Sequence, residues 1–188
     1  MNIIESQSYL KFTGEDAISF VDSLISNSVK NDSLFFSYLL GPDGKIINWF
    51  FCESKNNEFY IYQEFENLNY LLQIFNKYKI RIKCELKIIN EQKYFSFDIS
   101  EDSISVKETF HNPQTNTWRD IELIAQLPSK TILENGLIPN EVSWLEFFVD
   151  FEKGCFMGQE QTSRIKFRGR PRRFLKTLDS KTQVMEQI

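Results

Sequence analysis

A short turn near the C-terminus, residues 153–160, constrains the fold more than any other stretch of the sequence. Gly154 and Gly158 bracket Cys155 within it, and Lys153 precedes the first glycine. Glycine has no Cβ, so the backbone can bend sharply there or lie close to another part of the molecule or to a ligand. The chain must therefore make a tight bend at this point and present a cysteine beside a lysine.

The pair Gln159-Glu160 begins a segment that we predict to be helical. The free N–H groups and the positive dipole end of that helix would face back toward the turn. Together with the ammonium group of Lys153, they would favour the thiolate form of Cys155. Cys155 is therefore a candidate redox-active or ligand-contacting residue. The alternative is a small buried apolar side chain, which is the usual role of a lone cysteine.

Residues 153–160, Lys-Gly-Cys-Phe-Met-Gly-Gln-Glu, resemble the Lys-Gly-Cys-Tyr-x-Gly-Gln-Glu signature of the YgfZ-like proteins. These proteins are folate-binding relatives of the glycine-cleavage T-protein and are tied to the maturation and repair of iron–sulfur proteins. The flanks are similar too, with Gly136-Leu137-Ile138-Pro139 before the signature and Arg164 and Phe167-Arg168-Gly169 after it. The glycine corner Leu40–Lys45 also resembles the family pattern.

The resemblance implies a tetrahydrofolate-binding accessory protein that supports the assembly or repair of iron–sulfur proteins. Tetrahydrofolate would be its cofactor, and its partners would be folate and iron–sulfur client proteins or the assembly machinery. Cys155 would be the redox or ligand-contacting residue, and Arg164 would face the carboxylates of folate. The implied folate-binding residues are Asn48, Trp49, Lys153, Gly154, Gly158, Gln159, Glu160, Arg164 and Arg168.

True aminomethyltransferases carry acidic residues just beyond the glycine corner, where this chain has Asn48 and Trp49. Neither side chain is a carboxylate that could pair with a reacting folate nitrogen, so we expect a non-catalytic site. A folate-dependent aminomethyltransferase-type enzyme is one alternative. A ligand- or partner-binding module that has lost folate binding is another. Trp49 could stack on a pterin ring or belong to the core.

Charge and cysteine usage narrow the choice of partners. Residues 153–188 carry nine basic and three acidic residues, whereas residues 1–152 carry 13 basic and 23 acidic ones. The acidic excess in residues 1–152 argues against nucleic acid as a partner. The basic excess in residues 153–188 is either a solvated face or a contact for an anionic ligand. No apolar stretch is long enough to cross a membrane, and no signal peptide is visible. Three widely separated cysteines suit a cytoplasmic protein, and no metal-binding spacing is present.

Local patterns predict an α+β fold of the glycine-cleavage T-protein type, with split βαβ units and helices packed on an antiparallel or mixed sheet. Cys52 and Cys84 fall within apolar strand patterns and are expected to be structural. The predicted helices are 14–25, 68–78 and 129–135, besides the helix after Gly158. The predicted strands are 8–13, 34–40, 45–53, 58–63, 80–88, 94–99 and 118–127.

The resemblance also suggests a division of the chain. Relatives continue into a C-terminal β-barrel domain, which we expect to be largely absent here. Residues 1–170 would form the folate-binding T-protein-like domain, and residues 171–188 a short remnant of the following segment. Phe174, Leu175 and Leu178 would then have little to pack against, which suggests a homodimer.

Overall fold

The computed structural model describes residues 2–168, 171–178 and 181–188, and the side chains of residues 165–168 lie outside this description. The described strands are β1 (Asn2–Ser6), β2 (Tyr9–Thr13), β3 (Phe35–Leu40), β4 (Ile46–Lys55), β5 (Glu58–Tyr62), β6 (Glu85–Ile89), β7 (Lys93–Ile99), β8 (Ile104–Thr109), β9 (Arg173–Leu178) and β10 (Thr182–Gln187). The described helices are α1 (Ala17–Asp22), α2 (Phe65–Tyr78), α3 (Trp118–Ile124), α4 (Lys130–Glu134), α5 (Leu145–Phe148) and α6 (Gln159–Arg168), with a 3₁₀ turn at Pro139–Glu141.

The largest sheet has the strand order β3-β4-β5-β2-β6, and neighbouring strands within it are antiparallel. Strands β5 and β6 lie on the two sides of β2 and are joined through α2, so they run parallel with β2 between them. This is a split βαβ unit. The predicted α+β class, with helices packed on antiparallel sheets, is confirmed. None of the helices in the described ranges is long and apolar enough to span a membrane.

Each face of this sheet carries a hydrophobic core. Along β4, Trp49 and Phe51 belong to one core, and Phe50 and Cys52 belong to the other. Helices α1 and α2 cover the second core. The first core packs against the antiparallel sheet β1-β7-β8 and the short helices α3, α4 and α5. Since both faces are covered, the strand reads as a nearly continuous apolar run in the sequence.

Two local predictions were wrong. Residues 118–127 were predicted as a strand, but Trp118–Ile124 form helix α3, because Thr117 and Asp120 make a capping box that starts a helix. The Thr117 Oγ1 accepts the N–H of Asp120 at 3.1 Å, and the Asp120 carboxylate accepts the N–H of Thr117 at 2.8 Å. Strand β6 begins at Glu85 rather than Ile80, because Arg81 adopts a φ of 58° that breaks an extended strand.

The C-terminal hairpin β9-β10 packs on the first core. Leu175 is fully buried there, so the packing argument for a homodimer does not hold for this residue. Leu178 is 47% exposed. Arg173 ties the hairpin to the 3₁₀ turn through its Nε, which donates to the Glu141 carboxylate at 2.8 Å. Homodimerisation stays a prediction.

Candidate functional site

The signature turn lies against the glycine corner that joins β3 to β4. Gly158 has a φ of +80°, and a Cβ on it would lie 2.5 Å from the carbonyl oxygen of Gly41 and 2.9 Å from the Cβ of Leu40. Gly44 lies on the other side of this contact. Its φ is +77°, and a Cβ on Gly44 would lie 2.7 Å from the Cβ of Gln161. Two glycine turns that are distant in sequence therefore pack backbone against backbone.

The segment Gly136–Pro139 joins the same region. The carbonyl of Leu137 accepts the N–H of Ile46 at 2.7 Å, which fixes the segment to the start of β4. The Glu141 carboxylate accepts the N–H of Ile138 at 3.1 Å and also pairs with Arg173. The structure thus brings together three of the motifs that carried the family resemblance.

Lys153 anchors the beginning of the turn. Its Nζ donates to the carbonyl oxygens of Asp22 at 2.7 Å, Ile25 at 3.1 Å and Asn27 at 3.0 Å, and to the Asp22 carboxylate at 3.1 Å. The Lys153 side chain is only 3% exposed. Burial lowers the pKa of Lys153, and the Asp22 carboxylate opposes that shift. This ammonium group, expected beside the thiol of Cys155, is instead held by the loop after α1.

The chain that leads into the turn is fixed to the same loop. Ser26 Oγ donates to the carbonyl of Phe148 at 2.6 Å, and the Asn27 side-chain amide donates to that of Phe147 at 2.8 Å. Ser28 Oγ donates to the Asp150 carboxylate, and this hydrogen bond lowers the pKa of Asp150. The backbone on the N-terminal side of the turn is therefore rigidly placed.

Cys155 is exposed, whereas Cys52 and Cys84 are buried. Both Cys52 and Cys84 lie in the second core, as expected for structural thiols, and burial raises the pKa of each. A Cβ placed on Gly154 would meet no atom within 4 Å, so the surface beside Cys155 is open. Accessibility, the condition for a redox or ligand-contacting role of Cys155, is met.

The remaining predicted residues of the signature lie on α6. Gln159 is half-buried, and Glu160 and Arg164 are exposed. The side chain of Arg168 lies outside the described residues. Glu160 occupies the first turn of the helix, where a carboxylate is favoured by the helix dipole.

The structure places Trp49 in the core, which was the alternative to pterin stacking. Trp49 is 1% exposed, its Nε1 donates to the carbonyl of Pro128 at 3.0 Å, and its ring packs against Trp118 with centroids 6.2 Å apart. No face of the indole is open to a ligand. The residue alternation along β4 contained this signal, because Trp49 and Phe51 fall on the same side of a strand that is covered on both faces.

Asn48, the other predicted residue of β4, lines a cavity of about 440 Å³ beside the start of that strand. Its side chain is almost fully buried, at 2% exposure, and its Oδ1 accepts a hydrogen bond from Gln63 Nε2 at 3.5 Å. Tyr70 of α2 and Lys130 of α4 contribute an aromatic ring and a cation to this cavity, and no local sequence motif marks either residue. Both belong to elements distant from the signature in sequence. The full lining is Ile46, Ile47, Asn48, Glu66, Asn67, Tyr70, Lys130, Leu133 and Glu134.

A second, more polar cleft of about 580 Å³ adjoins this cavity and shares Glu66, Asn67 and Lys130 with it. The cleft also includes Glu122, whose side chain is 12% exposed and lies 3.1 Å from the guanidinium of Arg119. Burial raises the pKa of Glu122 to about 7, and Arg119 counteracts part of that effect. The other lining residues are Glu64, Ser129, Thr131, Ile132, Lys181, Thr182 and Gln183.

Glu122 is expected to make the free energy of unfolding depend on pH. Its folded pKa of about 7 lies above its ordinary value of 4.5, so the folded chain holds a proton that the unfolded chain releases between these values. The stabilisation of the fold by this bound proton is complete below pH 4.5 and is lost as the pH rises toward 7. We expect Glu122→Gln to be more stable than the wild type by about 2 kcal/mol at pH 8 and nearly equal at pH 4.5. Urea denaturation at both pH values checks this, and an identical pH slope in the two proteins would contradict it.

No protein-family model and no curated protein sequence matches the chain. Among solved structures, the chain is similar to the glycine cleavage system aminomethyltransferase T from Bartonella henselae, with a TM-score of 0.46 and 13% sequence identity. The likeness covers 68% of this chain and 32% of that one, so the chain spans about a third of the length of this neighbour.

Proposed function

We propose that the chain is a non-catalytic, cytoplasmic tetrahydrofolate-binding accessory protein that supports the assembly or repair of iron–sulfur proteins. The observation that carries the proposal is the exposed Cys155, held on a turn that is anchored on both sides by residues of the signature. Lys153 fixes one side through four oxygens, and Gly158 fixes the other by packing on Gly41. The signature thereby presents a thiol to solvent in a defined position.

We assign the folate site to the cavity beside Asn48. Its volume of about 440 Å³ falls in the range of small-molecule sites, and its wall combines apolar side chains with a few polar groups. Asn48 itself is only 2% exposed and its Oδ1 accepts from Gln63 Nε2 at 3.5 Å, so the half-buried Asn67 amide, which also lines the cavity, would supply the donors and acceptors that a pterin ring requires. Tyr70 supplies the aromatic surface that Trp49 cannot, because Tyr70 is 52% exposed and lines the cavity.

One observation favours an aminomethyltransferase-type enzyme as a second candidate. Glu66 and Glu134 line the same cavity, so it contains carboxylates even though Asn48 is not one. Either could act on a reacting folate nitrogen. Turnover of tetrahydrofolate with an aminomethyl donor, lost in Glu66→Gln or Glu134→Gln, would support the enzyme over the accessory protein.

Calorimetric titration with tetrahydrofolate tests the proposed site. We expect saturable binding to the wild type and binding at least about tenfold weaker in Tyr70→Ala, because stacking on the phenol ring is lost. Tyr78→Ala is the matched control, since Tyr78 lies on the same helix, is 40% exposed and does not line the cavity. No heat with the wild type would favour a module that does not bind folate. Equal losses in both variants would move the site away from this cavity.

A further inference from the structure

We propose that β6 is the interface of a homodimer, in which β6 of one copy pairs antiparallel with β6 of a second copy. The two-fold axis passes through Leu86, so Leu86 of one copy lies opposite Leu86 of the other. Glu85 and Lys87 of each copy then lie opposite Lys87 and Glu85 of its partner. This inference goes beyond the proposed function and does not depend on it. It places the dimer contact on β6 rather than on the C-terminal hairpin.

The first argument is that the outer edge of β6 is open. Strand β6 is the last strand of the five-stranded sheet, and β2 is its only strand neighbour among the described residues. In that part of the chain, no backbone-to-backbone hydrogen bond joins residues 85–89 to anything outside the sheet. Alternate N–H and C=O groups of an edge strand point away from its neighbour, so these groups can pair with another strand.

The second argument is that the charges of β6 complement themselves in one register. Glu85 and Lys87 are two positions apart, so both side chains point to the same face of the strand. Directly opposed residues of an antiparallel pair also share a face, and pairing centred on Leu86 sets Glu85 against Lys87 twice. Pairing centred on Lys87 would instead set two lysines against each other.

These charges fix the register more than the affinity. Glu85 and Lys87 already approach each other along the strand at 3.1 Å, and each side chain is 64% exposed. Within the fold, Lys87 lies directly opposite Lys11 of β2, which is a like-charge pair. Glu85 of a second copy would lie on the other side of Lys87 and offset that repulsion.

The third argument is that the apolar side chains of this edge are incompletely covered. Ile82, Leu86 and Ile88 pack against the second core but are only half-buried. In the register centred on Leu86, Ile88 of one copy lies opposite Cys84 of the other, so apolar residues meet apolar residues. A second copy would therefore extend the second core across the interface, and this burial supplies the affinity.

Two other sheet edges are already covered by loops of the chain. On β3, the carbonyl of Tyr38 accepts the N–H of Ser26 at 3.0 Å, from the loop after α1. On β1, the carbonyl of Ile3 accepts the N–H of Asn116 at 2.6 Å. These edges are not available to a second copy.

The remaining edges lack charges that complement themselves. The charged residues of β8, Lys107 and Glu108, are adjacent and face opposite sides of the strand, so they can never lie directly opposite each other in a two-fold pair. In the C-terminal hairpin, the charged residues of β9 are all basic, and the single one of β10 is acidic. Among the described edge strands, β6 alone is both open and self-complementary in charge.

Sedimentation velocity between about 1 and about 100 µM tests the interface. We expect the wild type to be dimeric at the upper end of this range. Lys87→Glu and Glu85→Lys should each weaken the dimer at least about tenfold, because each sets two like-charged pairs across the axis. An equimolar mixture of these two variants should dimerise as the wild type does, because every facing pair in the mixed dimer has opposite charges.

Two features separate loss of the interface from loss of the fold. Lys87→Glu replaces the like-charge pair with Lys11 by an opposite-charge pair, so we expect no loss of monomer stability in urea denaturation. Lys107→Glu is the matched control, since it makes the same substitution at an exposed position of β8, the other open edge strand. It should keep the dimer affinity of the wild type.

The contrary outcomes are equally definite. A wild type that stays monomeric up to about 100 µM would overturn the interface. A dimer that is lost in Lys107→Glu but kept in Lys87→Glu would move the interface to β8. A mixture of the two β6 variants that stays monomeric would overturn the register centred on Leu86. None of these results depends on tetrahydrofolate, so the proposed function is judged separately by its own titration.

Discussion

Replacing Gly158 by alanine is expected to destabilise the chain by about 3 kcal/mol or more. A Cβ on Gly158 would lie 2.5 Å from the carbonyl oxygen of Gly41 and 3.2 Å from the Cα of Gly44, and these backbone atoms cannot rotate away as a side chain could. The φ of +80° adds a second cost, because an L-residue avoids this region. Urea denaturation followed by tryptophan fluorescence measures the loss.

Gly154→Ala is the matched control. It makes the same substitution in the same turn, but the new Cβ would meet no atom within 4 Å. We expect a change in unfolding free energy within about 0.5 kcal/mol, as for surface substitutions in general. If the Gly158 variant were as stable as the Gly154 variant, the backbone contact between the two glycine turns would be wrong.

The variants Gly158→Ala and Gly154→Ala also distinguish two reasons why the turn contains glycine at these positions. The sequence predicted either a tight bend or a close approach at the bracketing glycines. At Gly158 the close approach is to the Gly41–Gly44 corner, so this glycine is required by folding rather than by a ligand. At Gly154 the structure offers no packing reason, and the open surface beside Cys155 is the feature that a partner could use. The two glycines of one motif therefore have different roles.

Most of the fold could be predicted because its signals are local. The apolar run of β3, the turn at Gly41–Gly44 and the helical spacing in α2 each lie within a few residues. Helix α3 was missed because its apolar residues also suit a strand, and the deciding contact is the Thr117–Asp120 capping box. Strand β1 was missed because its pairing with β7 depends on residues more than 80 positions away.

The site was less predictable because its parts come from separate elements. The turn, the glycine corner and Cys155 could be identified from a short motif. The direction of the Lys153 side chain could not, since it depends on a loop 131 positions earlier in the chain. Asn48, Tyr70 and Lys130 lie on a strand, a helix and a second helix, and only tertiary packing brings them to one cavity.

Replacing Lys153 by methionine is expected to destabilise the chain by about 3 kcal/mol. The methionine fills a similar volume but leaves three carbonyl oxygens and the Asp22 carboxylate without their charged donor. The Asp22 side chain is 44% exposed and can be hydrated, which limits the loss. Thermal or urea denaturation at pH 7 measures it.

Lys83→Met is the control for that substitution. Lys83 also pairs with a carboxylate, that of Glu15 at 2.8 Å, but both side chains are more than 70% exposed. We expect a loss below about 0.5 kcal/mol there, since exposed ion pairs contribute little.

The reactivity of Cys155 then distinguishes the two roles of Lys153. Because its ammonium group is held by the loop after α1, the rate of Cys155 alkylation by iodoacetamide in the folded Lys153→Met protein should stay within about twofold of the wild type. A large fall in that rate without a loss of stability would instead make Lys153 the cation that activates the thiol, as the sequence alone suggested.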